Sequence, residues 1–530
     1  MQIREHVGAG KPAIILHPSG TVITFDDLER RANRLAHYFR SEGLREGDVV
    51  AILMENNEHV HAVMWAARRC GLYYVPINTH LTAPEAAYII DNSGASAIVG
   101  SAALRQTCEN LAEHVAGGLP DLLVIASGAA GSATSGHDDL DGWRRYPECV
   151  ADQRDTAIDD EREGDLLQYS SGTTGRPKGI KRELPHVSPA QAPGMMSALV
   201  SVWMDPDSVY LSPAPLYHTA PSVWTMTVQS AGITTVVMER FDAEAALDAI
   251  ARYRVTHAQF VPAMFTRMLK LPESVRKSYD VSSLERVIHA AAPCPVGIKK
   301  QMIDWWGPII DEYYASSEAI GSTLISAQEW LAHPGSVGRA AFGNVHILGE
   351  DGNELPPGQP GDIYFEGGHP FEYLNDPAKT EASHDKRGWV TVGDVGYVDG
   401  DGYLFLTDRR HHMIISGGVN IYPQEAENML VTHPKVLDAA VFGIPDDEMG
   451  QSVKGVVQTV DPADATDAFA DELMVWLRER LAHYKCPRSI SFEAALPRTD
   501  IGKLYKQELI EKYSQPEGRG VTRRSSPACP

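Results

Sequence analysis

The chain has 530 residues, more than one hydrophobic core serves, since cores stop growing near about 250–300 residues, so two or more domains are expected. Hydrophobic residues at 43% and charged residues at 22% exclude a disordered or fibrous chain. With 47 basic against 70 acidic residues the net charge is −23, a field that repels nucleic acid and anionic membrane surfaces; any anionic ligand must be held by local donors.

The opening MQIREHVGAGKPAII carries no apolar signal core, and no apolar run of the roughly 18 residues that a membrane helix needs follows it. A soluble protein with no integral membrane segment is expected. AIILHPSGTVITF then reads as two short strands around a Pro-Ser-Gly turn, and Thr24 caps a helix whose Leu28, Ala32, Leu35, Ala36 and Phe39 share one face. A strand at Asp48–Met54, a helix at Glu58–Cys70 and a strand at Leu72–Ile77 continue an alternation that predicts α/β layering with a largely parallel sheet. Ala126–Gly136, rich in Ser, Gly and Ala, reads as a loop or linker. Six scattered cysteines (Cys70, Cys108, Cys149, Cys294, Cys486, Cys529) form no C-x-x-C and no metal-ligand spacing with histidine, which points to a reducing cytoplasm.

Beyond about residue 410 a new α/β pattern begins: a helix near Pro423–Thr432, strands around Leu437–Phe442 and Val453–Val460, and a helix near Asp471–His483. The final SQPEGRGVTRRSSPACP lacks apolar periodicity and reads as a tail.

The densest chemical signal is YSSGTTGRPKGI at Tyr169–Ile180, where backbone N–H groups, hydroxyls and Lys178 can close around phosphate oxygens. The spacing G-x-x-x-x-G-K-[ST] of nucleotide triphosphatases is absent, and from a short Ser/Gly/Thr run alone a Gly-rich hairpin or linker stays open. Downstream come PLYHTA (Pro215–Ala220), AAAPCP (Ala290–Pro295), EYYASSE (Glu312–Glu318), GWVTVGDVG (Gly388–Gly396), LTDRR (Leu406–Arg410), SGGVNIYPQE (Ser416–Glu425) and PRTDIGK (Pro497–Lys503).

Taken in this order and over nearly the whole chain, these motifs resemble the adenylate-forming superfamily: acyl-CoA synthetases, peptide-synthetase adenylation domains and firefly luciferases. The resemblance implies a large N-terminal adenylate-forming domain of layered sheets and helices (1–408), a hinge (409–412), a small mobile α/β C-terminal domain (413–514) and a tail (515–530). It implies a phosphate loop of Ser170, Ser171, Gly172, Thr173, Thr174, Gly175 and Lys178, with Tyr314 on adenine, Ser317 near the α-phosphate and Glu318 on Mg²⁺, a hard cation suited to carboxylate. Asp394 and Arg409 fall where the ribose is held, His218 where the acyl channel passes the phosphate loop, and Lys503 where a mobile-domain lysine bridges carboxylate and phosphate. Gly417 and Gly418 fall where pantetheine approaches, absent side chains admitting a close ligand. The sequence departs from the family at Ala315 and Ser317, where glycine and threonine are commoner, and at His411, where relatives carry Asp or Lys.

The implied reaction is acyl-adenylate formation from MgATP and a carboxylic acid, with pyrophosphate release, followed by attack of the coenzyme A thiol. A carrier-protein phosphopantetheine is an alternative acceptor, though the chain ends soon after PRTDIGK with no carrier domain. A non-catalytic nucleotide- or acyl-binding relative is a further alternative, opposed by the retention of Lys178, Glu318, Asp394, Arg409 and Lys503. The resemblance places Tyr217–Trp224, Gln259–Phe265, His289–Pro293 and Ile320–Leu324 around the acyl channel. Mostly small or apolar, and with no arginine or lysine among them deep enough to pair with an acid, they suggest a fatty, steroid side-chain or aryl acid. A homodimer is one candidate assembly.

Overall fold

The computed structural model describes residues 2–8, 10–128, 140–170, 177–192, 195–409, 412–416, 419–446, 448–498 and 504–514. Strands Pro12–His17 and Val22–Thr24 pair antiparallel across the turn. Thr24 then starts the helix Phe25–Ser41, its Oγ1 accepting the Asp27 N–H at 3.1 Å. Leu28, Ala32, Leu35, Ala36 and Phe39 are all buried, as the periodicity predicts. Each large apolar side chain so placed contributes about 1.5–3 kcal/mol.

Val49–Leu53, the helix Val60–Arg69 and Tyr73–Pro76 form a parallel strand–helix–strand unit. All five residues of Val49–Leu53 are buried, as expected of a parallel strand covered on both faces. Among the described residues a six-stranded sheet holds this unit, and a nine-stranded sheet runs from Arg339–Phe342 at one edge to Val22–Thr24 at the other. One apolar core joins the two, with Ile14, Leu16 and Val237 from the larger sheet, Val50 and Ile52 from the smaller, and the helices Phe25–Ser41 and Val60–Arg69 between them. Three- and four-stranded sheets complete this large part.

The strand Leu404–Arg409 belongs to the four-stranded sheet, and Ile414–Ser416 opens a five-stranded sheet with its own core of Ile414, Leu430, Val441, Val457, Phe469 and Leu473. The two C-terminal strands expected from sequence are longer, Val436–Asp446 and Gly450–Thr459, because they pair with each other along almost their whole length. The helix expected at 471–483 spans Asp467–Arg478 instead. Thr466 Oγ1 accepts the Phe469 N–H at 3.2 Å and starts it a turn earlier. The large and small parts touch where Lys270 Nζ donates to the carbonyls of His433 and Pro434 at 3.1 and 3.2 Å. Most of the linker reading at Ala126–Gly136, and the whole of the tail beyond Ser514, lie outside the described residues. No helix among the described residues is long and apolar enough to cross a membrane.

Candidate active site

A connected cleft of about 3140 Å³ separates the large part from the small one and runs into the former. That volume is several times the roughly 300–1,000 Å³ of a single small-ligand pocket, so it has room for more than one substrate.

At one end Tyr314 and Asp394 meet: the Tyr314 hydroxyl donates to Asp394 Oδ2 at 2.7 Å. Asp394 is placed by Gly393, whose φ of +84° is a conformation that other residues adopt only with strain, and whose N–H is held by Thr391 Oγ1 at 3.1 Å. Arg409 faces Asp394 across the antiparallel pair formed by Asp394–Val398 and Leu404–Arg409. Its side chain lies outside the described residues.

The middle of the cleft is polar. The strands Gln168–Ser170 and Lys178–Lys181 pair so that Ser170 stands opposite Lys178. Ser171, Gly172, Thr173, Thr174 and Gly175, between them in sequence, lie outside the described residues. Lys178 reaches the ring of Tyr373 at 5.9 Å, and Lys379 reaches it at 5.4 Å. Burial, then the neighbouring Lys379, pulls the Lys178 ammonium down to about 8 from its ordinary value, against the opposing pull of Asp376 and Glu318. The Tyr373 hydroxyl donates to Glu318 Oε1 at 2.9 Å, which fixes this buried carboxylate. A buried carboxylate beside Lys178 in a polar cleft suits a hard cation, so the donor present fits Mg²⁺, which Glu318 would hold.

Ser317 and His218 come together although 98 residues separate the hydroxyl pair that joins their segments: Thr219 Oγ1 and Ser317 Oγ lie 2.9 Å apart. His218 flanks the start of the helix Thr219–Ser230, and its ring packs on Tyr217 at 4.4 Å between centroids. Ala291 and Ala319, beside the cleft, hold φ of +74° and +55°. Non-glycine residues take that region only when their surroundings impose it, commonly at functional sites.

Trp224, Gln259, Met264, Ala290–Pro293 and Gly321–Leu324 line a further stretch of the cleft, a chamber close to the segments that sequence selects. His289 is the exception, since it is fully buried and turns to Glu312. Lys299 Nζ is 2.7 Å and His289 Nε2 3.2 Å from Glu312 Oε2, so two basic groups share one buried carboxylate at the edge of the cleft.

On the small part's side, Arg498 and Leu504, which bracket most of the PRTDIGK motif, form a bridge and line the cleft. Lys503 itself lies outside the described residues, as do Gly417 and Gly418; Ser416 and Val419 on either side of the glycines are strand partners.

Sequence reasoning missed Lys379, Tyr373 and Lys299. Lys379 sits in the helix Pro377–Ala382, capped by Asp376 Oδ1 through the Lys379 N–H at 3.0 Å, in a segment with no phosphate-loop signature.

The family model for AMP-binding enzymes matches residues 3–372, and that for the AMP-binding enzyme C-terminal domain matches residues 425–503. The chain belongs to the AMP-binding enzymes. It is 34% identical to a feruloyl-CoA synthase of Amycolatopsis sp over 94% of this chain and 96% of that one. It is 31% identical to the long-chain-fatty-acid–CoA ligase FadD13 of Mycobacterium tuberculosis over 94% and 95%. It is 30% identical to the fatty acid–[acyl-carrier-protein] ligase ScoC of Streptomyces coeruleorubidus over 96% and 95%. Its fold matches that of ATP-bound MatB from Rhodopseudomonas palustris with a TM-score of 0.79 at 27% identity, covering 97% and 98% of the two chains. The enzyme thus stands in the acyl-CoA synthetase branch of the adenylate-forming superfamily and is an AMP-forming acid–thiol ligase that uses ATP and CoA.

Proposed function

We propose that this synthetase activates a hydrophobic carboxylic acid, fatty, steroid side-chain or aryl, as its adenylate and then passes the acyl group to the thiol of free CoA. The observation that carries the reading is the continuity of one cleft. Tyr314, Asp394, Glu318 and Lys178 line it together with the apolar Trp224 and Met264.

In this reading Tyr314 holds adenine, and Asp394 and Arg409 hold the ribose. The loop Ser170–Gly175 with Lys178 takes the phosphates, and Lys379, already beside Lys178, adds a second cation there. A carboxylate has no good leaving group at its carbonyl, so its oxygen attacks the α-phosphorus, the bond to pyrophosphate breaks, and AMP becomes the leaving group. Charge grows on the phosphate oxygens in that step, and Ser317, Lys178 and Lys503 stabilise it as preorganised donors. Glu318 would hold Mg²⁺, which supplies charge neutralisation at those oxygens when bound. His218 lines the passage for the carboxylate.

For the second step the small domain rotates about 409–412, withdraws Lys503 and brings Gly417 and Gly418 towards the adenylate, where the CoA sulfur attacks the acyl carbon and AMP leaves. Arg498 and Leu504 on the cleft wall support an adenylating role for Lys503. The test is to incubate enzyme, MgATP and acids from acetate to aryl and long-chain acids, with and without CoA. Pyrophosphate release, and acyl-CoA only with CoA, is expected for hydrophobic acids. A kcat/KM for acetate equal to theirs would overturn the hydrophobic assignment, because each buried CH₂ contributes about 0.8 kcal/mol.

A further inference from the structure

The chamber is apolar in outline, yet its sheet-side wall carries polar atoms that a plain hydrocarbon chain could not satisfy. Tyr313 and Tyr314 are successive residues of the strand Ile310–Ala315, so their side chains leave opposite faces. Tyr314 goes to Asp394 at the nucleotide end, and Tyr313 goes to the chamber.

The Tyr313 hydroxyl lies 2.7 Å from Gln259 Nε2 and 3.4 Å from Trp224 Nε1. An indole N–H can only donate, so the phenol oxygen accepts from Trp224. If Gln259 donates as well, the phenolic proton has no acceptor among the described residues. If the amide is turned over, the phenol donates to Gln259 and the amide N–H groups are left instead. Either way the pair keeps an unspent donor beside the chamber. Burial pushes the Tyr313 phenol upward, so it stays protonated as that donor at neutral pH.

Two more groups lie in the same region. Ser212, at the end of the strand Val209–Ser212, lines the cleft at 1% exposure, and its Oγ has no hydrogen-bond partner among the described residues. Tyr210, two residues back, lies in the core behind Trp224, on which it packs at 6.2 Å; it does not line the cleft. A buried polar group left unsatisfied costs about 1–3 kcal/mol, so the unspent donor of the Tyr313–Gln259 pair, which lines the cleft, calls for a ligand atom that accepts from it.

We propose that the chamber selects carboxylic acids bearing an oxygen acceptor (a phenol, ether or keto oxygen) at the end of the acyl group remote from the carboxylate. Tyr313, held by Gln259 and Trp224, is the residue that determines this specificity. The inference rests on the acyl-CoA synthetase reading above and narrows its substrate class.

The test uses matched pairs of acids: 3-phenylpropenoate against its 4-hydroxy and 4-methoxy forms, a fused-ring alicyclic propanoate with and without a ring ketone, and straight-chain alkanoates with and without a terminal hydroxyl. The wild-type enzyme should prefer the oxygenated member of its best pair by roughly 10–100-fold in kcat/KM, the worth of one such hydrogen bond. Tyr313→Phe should bring that ratio to within about threefold by lowering turnover of the oxygenated acid, with the unoxygenated acid and the Kd for ATP unchanged. Gln259→Leu, which loosens the phenol without removing it, should lower the same ratio and serves if Tyr313→Phe does not fold. The ratio is also read by calorimetric binding of the acids to enzyme holding a non-hydrolysable ATP analogue, independently of turnover. Absence of pyrophosphate with every acid would therefore defeat the synthetase reading while binding still decides the preference. An unoxygenated acid as the best ligand, or a preference that survives Tyr313→Phe, would overturn the proposal and leave the wall's polar atoms to ordered water.

Discussion

Two lysines share the face of one tyrosine ring in the polar middle of the cleft, and burial with this crowding holds Lys178 down to about 8. A polyphosphate between them would raise it again, so proton uptake and ATP binding are linked. The sign follows from the direction of the shift. Below about pH 8 Lys178 is already charged and affinity is flat; above it, binding must recruit a proton and affinity falls by up to about tenfold per pH unit. The dissociation constant for ATP, titrated from pH 7 to 9.5, should show this bend near 8, and Lys178→Arg, charged throughout, should not. A bend that persists in the arginine variant would assign it to another group. His61 is a second case in which an environment sets an ionisation: fully buried, with neither ring nitrogen partnered among the described residues, it is driven down to about 3 by burial. Its unfolded form takes a proton near 6.5 and its folded form does not, so stability is intact above about 6.5 and falls with acid from there towards 3. His61→Leu should flatten the decline of Tm between pH 6.5 and 4.5, measured by calorimetry.

At the scale of elements, the helix Phe25–Ser41 was legible because a threonine cap and a 3.6-residue apolar period agree, and the first strand–helix–strand unit was legible from its alternation. The face on which His289 sits was not. Arg286–His289 is a central strand of the larger sheet, buried on both sides, and such strands show no in-out alternation in sequence. The partnership of Lys299 with Glu312 hides for a different reason: thirteen residues separate a helix position from a strand position, and only the packed fold joins them. Removing one member strands the others' charge in the interior, so Lys299→Met should cost about 3–5 kcal/mol, read as a lowered Tm; a loss under about 1 kcal/mol would contradict the coupling. Motif strings single out Tyr314, Glu318 and Asp394, which the structure brings to one cleft, because each lies within a few distinctive consecutive residues. Trp224 and Gln259 fall in segments that the resemblance places around the acyl channel, but Tyr313, which joins them, comes from a third, distant element and no local pattern announces the contact. Gly393 shows how an element sets chemistry. Gly393→Ala meets no steric neighbour, only the backbone strain of a positive φ, so it should cost about 1–3 kcal/mol and raise the KM for ATP by tilting Asp394.

Over the whole molecule, a large layered domain and a small one enclose a cleft that must serve two reactions in sequence. In the proposed account the partition is made by the small domain: Lys503 belongs to adenylation, and Gly417 and Gly418 belong to thioester formation. The half-reactions of Lys503→Ala test this central claim most directly, with adenylate formation followed by single-turnover pyrophosphate release and thioester formation followed from supplied acyl-adenylate and CoA. The account predicts a loss of roughly 10²–10³ in the first, the cost of one preorganised donor, and little change in the second. Equal losses in both half-reactions would contradict it.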